Sequence, residues 1–342
     1  MADRSAVTPR RILALLAVGS GLFAAACGGG SSPSSSSSGS GSATAGLAKQ
    51  ASVASEVPSS LQGSPIQIAT DATYAPNEYV DPSSGDIAGW DIDFGKAICT
   101  VMGEVCTFNN VTFDDIIAQL KAATPAEQAG GDKPRYQFSI SSWTPTAKRE
   151  QSGIDFITYY QAGEAWFIKA GSGVTVNSAA DMCGKKVAVE AGTTEESDAW
   201  GYMGKSVGGA AISGDTDHCT SAGKQDITVD SYQTQTQANQ ALISGRDDIG
   251  WADSPIAAYQ VKQSNGQLAL AGQPCSVSPY GIALVHGSQL EQAITDAVKY
   301  LISSGYYTKI LQQWGVTSGA VQATDVSLNN NSAVGSSCVP SY

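Results

Sequence analysis

The amino-acid sequence predicts an α/β protein built from two series of alternating strands and helices. The first series begins near residue 65 and the second near residue 154, and in each series apolar strands run into amphipathic helices. The chain has 342 residues, which is enough for two domains of about 100–200 residues each. Hydrophobic residues make up 42% of the chain, so both halves have the material for a packed core.

The first series runs from residue 65 to residue 142. It opens with an alternating strand at 65–70 and a polar loop at 71–78, followed by a hairpin-like turn at 81–86. Asp91 is predicted to be the N-cap of an amphipathic helix that ends at Gly103. The series continues with a strand from 106, a helix capped by Thr112, a loop at 124–135 and a strand at 136–142.

The end of the strand at 136–142 is a candidate binding site. Ser141 and Ser142 finish the strand, and the loop that follows carries Thr144 and Arg149. At the carboxyl edge of an open α/β sheet, hydroxyl and backbone N–H groups face the crevice where ligands bind. An arginine there can donate two parallel hydrogen bonds to a carboxylate. These residues predict a site for a small anionic group, and the alternative is a loop with a solvated arginine.

The second series begins with strands at 154–160 and 165–168 and continues towards the C-terminus. It predicts further strands at 185–189, 227–229, 247–253, 268–271 and 281–285, and helices after 193 and at 234–242, 289–303 and 306–314. Two of its strand ends are acidic. Glu190 leads into a tight turn at 191–194 that opens a helix, and Asp253 ends the strand at 247–253. Two series of this kind predict two sheets.

Residues 1–27 are typical of a bacterial lipoprotein signal peptide. Arg10 and Arg11 precede an apolar run at 12–26 that is too short to span a bilayer and ends in Ala24-Ala25-Ala26-Cys27. This ending resembles a lipobox and predicts that Cys27 is lipidated as the new N-terminus, with plain secretion as the alternative. Export by the general secretory or the twin-arginine route stays open. Residues 28–63, rich in Ser, Gly and Ala, are predicted to form a flexible tether.

The charge and the cysteine count restrict the partners and the chemistry. A net charge of −12 argues against nucleic acid or an anionic membrane surface as a partner. Beyond Cys27 the chain has six cysteines, and an even number predicts disulfides in an exported protein. Their order favours the pairs Cys99–Cys106, Cys183–Cys219 and Cys275–Cys338. With two histidines and no C-x-x-C motif, a metal site is disfavoured, and no other cofactor is predicted.

A series of short motifs gives the sequence a family resemblance. In chain order they are TDATYAP (70–76), GWDIDF (89–94), FDDII (113–117), SSWT (141–144), AGTT (191–194), ADSP (252–255), PYGIA (279–283) and GYYTKI (305–310). Together they resemble the extracellular solute-binding proteins of family 3, the polar amino-acid receptors of ABC importers, over about residues 64–316. Cys99 and Cys106 match the positions of a disulfide in the lysine/arginine/ornithine- and histidine-binding members.

The resemblance implies a two-lobed periplasmic-binding-protein-like fold of type II, in which two crossing strands join the lobes and the ligand is enclosed between them. It places lobe 1 at 64–162 plus 280–342 and lobe 2 at 163–279. It implies binding and closure without catalysis, an amino-acid ligand, and an ABC permease and ATPase complex as partner. The binding protein is expected to be a monomer at the outer face of the cell membrane, attached to the membrane only by its lipid anchor.

The family's ligand contacts transfer to positions that match its motifs. Arg149 resembles the arginine that clamps the ligand's α-carboxylate, and Asp253 resembles the acid that binds the α-ammonium group. Thr193 and Thr194 match ligand contacts at a helix start, and Ser141, Ser142 and Thr144 match contacts at and after a strand end. Tyr74 and Phe113 match the aromatic walls around the ligand. A helix N-terminus favours an anion, in agreement with a carboxylate clamp at the two threonines.

Asp71 and Glu190 are the candidates for recognition of the ligand's side chain. Asp71 resembles an acid that contacts cationic side chains in the basic amino-acid receptors, and Glu190 stands directly before the 191–194 turn. Together they predict an anionic pocket for a cationic or amine-bearing amino acid. A glutamate or aspartate ligand is disfavoured, because an unpaired like charge in a closed cleft costs on the order of several kcal/mol. Neutralisation of Glu190 by Lys185 or Lys186 would remove this prediction.

Two other function classes stay open on the same fold. Periplasmic dehydratases of cyclic acids resemble this family, and they need a general acid or base in the cleft, which Asp71 or Glu190 can supply. A lipoprotein that senses a ligand without transporting it is the third alternative. Individual residues also have plain structural alternatives: turn packing for Tyr74, a hydrophobic staple for Phe113, and helix caps for Thr194 and Asp253.

Overall fold

The computed structural model describes residues 43–122, 135–333 and 335–339. Three predictions therefore lie wholly or mainly outside the described residues. These are the signal peptide at 1–27 with the lipidated Cys27, the first part of the 28–63 tether, and most of the loop at 124–135.

Within the described ranges, the strands form an eight-stranded mixed sheet and a small antiparallel sheet. In spatial order the large sheet contains β5 (Cys106–Asn110), β1 (Ile66–Thr70), β6 (Phe138–Trp143), β11 (Leu268–Val285), β7 (Ile154–Lys169), β10 (Ile249–Asp253), β8 (Lys186–Glu190) and β9 (Thr228–Tyr232). The small sheet contains β2 (Thr73–Tyr74), β3 (Glu78–Val80) and β4 (Ile87–Ala88). The predicted turn at 81–86 joins β3 and β4 as an antiparallel hairpin.

Two long antiparallel strands, β7 and β11, join the two predicted series, which confirms the two-lobed α/β fold with crossing strands. The sequence predicts two short strands in place of each, because small and polar residues such as Ala162, Gly163 and Glu164 interrupt the apolar pattern. The backbone pairing nevertheless continues from Lys169 opposite Leu268 to Ile154 opposite Val285, with irregular register near Cys275. The two predicted sheets are therefore parts of one continuous sheet.

The helices pack against both faces of this sheet. They are α1 (Ala51–Ala54), α2 (Trp90–Met102), α3 (Phe113–Leu120), α4 (Ala147–Gln151), α5 (Thr194–Gly201), α6 (His218–Ser221), α7 (Gln235–Ser244), α8 (Ser254–Gln263), α9 (Glu291–Ser303) and α10 (Tyr306–Trp314). Short 3-10 turns lie at Ala179–Asp181 and Thr317–Gly319. Thr112 precedes α3 in the N-cap position, as predicted.

The prediction that Asp91 caps α2 is wrong. The N-cap is Gly89, and Asp91 lies inside the first helical turn, fully buried. Gly89 has a φ of 134°, and a Cβ atom there would collide with the carbonyl oxygen of Asn77. Because this glycine brings the chain close to Asn77, the helix starts earlier than the polar residue indicates, and the Asp91 carboxylate points into the core.

Residues 43–63, which the sequence places in the flexible tether, are packed on the folded body. They contain α1, and Val53 and Val57 are buried in the hydrophobic cluster formed by α2, α9 and α10. Leu47 and Leu61 pack against the same cluster. The few apolar residues of this Ser/Ala-rich stretch therefore cover one edge of the core, a role that composition alone does not indicate.

All three disulfides predicted from the order of the cysteines are present: Cys99–Cys106, Cys183–Cys219 and Cys275–Cys338. The third one attaches the C-terminal segment to the irregular part of β11. Before it reaches Cys338, that segment pairs with β7, where the Thr158 N–H donates to the Ser327 carbonyl at 3.0 Å. Val326 is buried in the α2–α9–α10 cluster, and Val339 in the cluster around β8 and β10. The tail thus packs on both sides of the crossing strands.

Removal of the third disulfide by Cys275→Ser and Cys338→Ser is expected to destabilise the protein more than removal of Cys99–Cys106. The loops that they close differ greatly in length, with sequence separations of 63 and 7. On the chain-entropy relation, about 4 kcal/mol is lost in the first case and about 2 kcal/mol in the second. Urea unfolding of the two double variants measures this difference, and equal losses would contradict the prediction.

Candidate functional site

A cavity lies where strand ends and helix starts from the two sides of the crossing strands meet. The space open to the centres of water-sized molecules is about 20 Å³, which is room for about one water molecule. Its lining residues are Tyr74, Phe113, Ser142, Thr144, Arg149, Thr193, Thr194, Glu195, Gln235, Ala252, Asp253 and Ile256. Eight of the residues predicted from the sequence are therefore brought together.

Arg149 is the cationic group of this cavity. Helix α4, whose N-cap Thr146 accepts a hydrogen bond from the Arg149 N–H, fixes the backbone. The guanidinium carbon lies 5.3 Å from the ring centre of Phe113 and 4.9 Å from that of Trp143. Its Nη1 donates to the Thr144 carbonyl at 2.6 Å and its Nη2 to the Gly192 carbonyl at 2.9 Å. Burial lowers the pKa of Arg149 to about 10, so it stays charged at neutral pH.

Acidic groups face the guanidinium. Asp253 ends β10, and its Oδ2 accepts a hydrogen bond from the buried Tyr280 hydroxyl at 2.8 Å. Burial raises the pKa of Asp253 well above its usual range; the neighbouring Glu195 raises it further, whereas Arg149 lowers it. Glu195 and Glu164 are also buried, and burial raises the pKa of both carboxyl groups. Positive and negative groups thus meet across one small space, as a zwitterion requires.

The start of α5 lies beside the arginine. Gly192 has a φ of 81°, a left-handed conformation that favours glycine, and allows the chain to turn sharply after β8. The Thr193 hydroxyl accepts from the Glu196 N–H and therefore caps the helix, while Thr194 is the first helical residue. The cap predicted as an alternative role for Thr194 is thus supplied by Thr193. The helix N-terminus contributes partial positive charge next to Arg149.

Asp71, Glu190 and Tyr74 form an acidic end of the site, which adjoins the cavity through Tyr74. Asp71 accepts from the Thr73 hydroxyl at 2.7 Å and from the Phe113 N–H at 2.9 Å. Glu190 is 1% exposed, and its nearest polar neighbours are the Tyr74 hydroxyl and the Asp71 carboxyl group, although neither contact has ideal hydrogen-bond geometry. Burial raises the pKa of Glu190, and the nearby Asp71 raises it further. A cationic donor would satisfy these acidic groups better than they satisfy each other.

No lysine neutralises Glu190 within the part of the chain that the structure describes. The ion pairs found there are Lys205–Asp226 and His286–Asp155, and Lys186 lies exposed at the opposite end of β8. The alternative in which Lys185 or Lys186 removes the anionic pocket therefore has no support in the geometry. Asp71 and Glu190 remain two acidic groups in one buried space.

Three predicted residues lie outside the lining of the cavity, and four lining residues were missed. Asp71 and Glu190 lie at the acidic end, and the Ser141 hydroxyl accepts from the Asp71 N–H at 2.8 Å. The missed residues are Glu195, Gln235, Ala252 and Ile256. Glu195 directly follows Thr194, the last residue of the AGTT motif, so the sequence offers a local signal for it. Gln235 and Ile256 carry no local signal, since only the packing of α7 and α8 brings them here.

The described residues contain no group of three or more His, Cys, Asp or Glu side chains arranged to hold a metal ion. None of the helices described is long and apolar enough to cross a bilayer.

Comparison with known proteins identifies the family. The family model of the bacterial extracellular solute-binding proteins, family 3, matches residues 66–317. The chain belongs to this family. As a family 3 solute-binding protein, it is similar to the arginine-binding protein ArgT of Corynebacterium glutamicum, with 30% identity over 72% of each chain. It is also similar to the histidine-binding periplasmic protein of Salmonella typhimurium, with 27% identity over 73% of this chain and 86% of that one.

Solved structures of similar proteins support the same fold for this family 3 protein. An ancestral arginine-binding protein bound to arginine has a TM-score of 0.59 and 31% identity, over 73% of this chain and 97% of the other. The arginine-, lysine-, histidine-binding protein ArtJ of Geobacillus stearothermophilus has a TM-score of 0.58 and 26% identity, over 73% and 94% of the two chains. These relatives are named as binding proteins and not as enzymes.

Proposed function

We propose that this family 3 protein captures a cationic amino acid between two closing lobes. The observation that carries the proposal is the buried pair Asp71 and Glu190 beside Tyr74 of the cavity lining, with no neutralising cation among the described residues. A zwitterionic head group fits the arginine and the aspartate, and a guanidinium or ammonium side chain fits the acidic pair. The names of the arginine-binding relatives support the same choice.

In the proposed complex, each part of the ligand has its own partners. Arg149 holds the α-carboxylate together with Thr193 and Thr194, and Asp253 holds the α-ammonium group with Ser142 and Thr144. Tyr74 and Phe113, whose rings meet edge to face at 5.7 Å, enclose the aliphatic stem. Ligand binding favours the closed form because only closure gives both ends of the zwitterion their partners.

The cellular role follows from the family. Lobes at 64–162 plus 280–342 and at 163–279 close on the ligand, and an ABC permease and ATPase complex receives it. Lipidation at Cys27 anchors the monomeric protein at the outer face of the cell membrane, where the residues after Cys27 act as a short tether. Mass spectrometry of the protein from intact cells tests the anchor through the mass of the lipid on Cys27.

Calorimetric titration against L-arginine, L-lysine, L-histidine, L-glutamine and L-glutamate tests the ligand class. We expect tight binding of arginine or lysine and no measurable binding of glutamate. Tight glutamate binding without arginine or lysine binding would overturn the proposal. Recovery of the ligand after long incubation separates binding from a dehydratase reaction, because a binder returns it unchanged.

Binding of arginine is expected to release protons in the pH range above the ordinary pKa of free carboxyl groups, which is about 4. Burial raises the pKa of Asp71 and of Glu190, so the empty site keeps a proton at a pH where free carboxyl groups have lost theirs. A cationic side chain favours the ionised carboxylates and expels that proton, so affinity rises as the pH rises through this range. Calorimetric titrations in two buffers of different ionisation enthalpy measure the number of protons released on binding. Uptake of protons would contradict the prediction.

A further inference from the structure

Two more carboxyl groups lie beneath the serine end of the site. Glu78 on β3 and Asp91 in the first turn of α2 are both 0% exposed. Neither takes part in the ion pairs of the described residues. Ser142 contacts both, through its N–H to Asp91 at 3.3 Å and its hydroxyl to Glu78 at 3.3 Å, so the two carboxyl groups are close neighbours. Two adjacent ionised carboxylates in a buried space are strongly unfavourable, so such a pair holds one proton.

The surroundings place that proton on Glu78. The Asp91 carboxylate lies at the N-terminus of the 13-residue helix α2, where a negative charge is favoured. Its Oδ2 accepts from the Tyr159 hydroxyl at 2.7 Å and from the Ser142 N–H at 3.3 Å. Asp91 Oδ1 accepts no hydrogen bond from the described residues, which leaves it available to a proton on Glu78. Burial raises the pKa of both groups, and that of Glu78 further than that of Asp91, whose pKa is about 7.

The pair is connected directly to the ligand cavity through two serines. Ser142, which lines the cavity, has a φ of 53°, a left-handed conformation that costs a non-glycine residue about 1–2 kcal/mol. The Ser142 N–H donates to Asp91, and its hydroxyl contacts Asn77 at 2.9 Å and Glu78 at 3.3 Å. The Ser141 hydroxyl also contacts Glu78, at 3.2 Å, and accepts from the Asp71 N–H.

We propose that Glu78 and Asp91 form a carboxylic acid–carboxylate pair that positions Ser141 and Ser142 for the ligand. Neither acid lines the cavity, so both are positioning residues and act through the serines. The inference rests on the proposed function, because Ser142 is expected to contact the α-ammonium group. Loss of the proton places a second negative charge against Asp91, which disturbs the strained Ser142 and weakens binding.

Other titratable groups face the pair from the neighbouring elements. They are Asp71 after β1, Tyr74 of β2, Tyr159 and Tyr160 of β7, Tyr280 of β11 and Tyr307 of α10. Burial raises the pKa of each of these tyrosines, so they stay neutral up to pH 9. The pKa of Asp71 is also raised, and Asp71 completes its ionisation when the cationic ligand binds. Asp91, whose pKa is about 7, is fully ionised at pH 9, so any further proton that the pair loses at alkaline pH comes from Glu78.

The test compares Glu78→Gln with Asp91→Asn, with L-arginine as the probe. Glutamine keeps a donor towards Asp91, so we expect a Kd within about threefold of the wild-type value at pH 7 and a smaller loss of affinity at pH 9. Asparagine weakens the acceptor for the Ser142 N–H and the Tyr159 hydroxyl, so we expect binding about 10-fold weaker. The ratio of variant to wild-type Kd at each pH cancels the titration of the ligand itself.

Asp93→Asn is the matched control on the same helix, because Asp93 contacts Trp314 and not the serines. It should leave the affinity for arginine unchanged. Equal effects of Glu78→Gln and Asp91→Asn, or a wild-type pH profile in Glu78→Gln, would overturn the proposal.

Infrared spectroscopy at pH 7 provides a readout without ligand: a carboxylic-acid band must disappear in Glu78→Gln. If the wild-type protein shows this band but does not bind arginine, the proposed function is wrong, whereas the protonated Glu78–Asp91 pair is supported.

Discussion

Replacement of Arg149 by methionine is expected to weaken the binding of L-arginine by roughly 30- to 4,000-fold, the equivalent of about 2–5 kcal/mol for the loss of one partner of a buried charge pair. The unbranched methionine keeps the contact with Phe113 and Trp143, so the fold should persist. The ligand's α-carboxylate loses a two-pronged donor, and Asp253 and Glu195 lose the cation that lowers their pKa. Calorimetry and thermal unfolding of the same samples separate loss of binding from loss of structure.

Two controls show whether the arginine acts on the carboxylate. Arg149→Lys keeps the charge but not the planar fork, so its affinity should lie between those of the wild type and Arg149→Met. Agmatine, which is arginine without the carboxylate, should bind to wild type and Arg149→Met with similar affinity. An equal loss of affinity for arginine and for agmatine would show that Arg149 only supports the cavity through its bonds to Thr144 and Gly192.

The residues of the candidate site that could be predicted are those fixed by strand ends. Glu190 and Asp253 finish strands of the large sheet, and Ser142 is the last residue but one of β6. The topology of an α/β sheet brings such ends to one crevice. Arg149 and Thr194 lie at helix starts that follow those strands directly. Local sequence and general topology are therefore sufficient to assemble them.

The features that could not be predicted depend on contacts distant in sequence. Asp91 looks like a helix cap from its neighbours, and only the approach of Gly89 to Asn77 turns it inwards. Gln235 and Ile256 reach the cavity because α7 and α8 pack beside it. The prediction divided the crossing strands because apolar periodicity does not record backbone pairing. That pairing continues on both sides of Gly163, with a shift of register there. Long-range packing decides these features, and no local pattern encodes it.

Conversion of the acidic end to neutral amides is the second change with a large expected effect. In Glu190→Gln, the affinity for arginine should fall by roughly 10- to 100-fold, as expected for about 1.5–3 kcal/mol from a hydrogen bond to a charged group. L-glutamine should gain affinity relative to arginine, because its amide side chain no longer faces an unpaired carboxylate. A similar ancestral arginine-binding protein has been solved with glutamine bound, at 30% identity. Titration with both ligands gives the change in selectivity.

Asp71→Asn and the double variant Asp71→Asn with Glu190→Gln complete a double-mutant cycle. The carboxyl groups of Asp71 and Glu190 each affect the protonation of the other, so their effects on arginine affinity should not add. Once either residue is an amide, the remaining carboxyl group ionises more easily and binds the cation more strongly. The second substitution should therefore lower the affinity for arginine more than the first. Asp114→Asn removes the same charge outside the cavity, beside Gly192, and should change the affinity by less than about threefold. Strictly additive losses would show that the two acids bind the ligand independently.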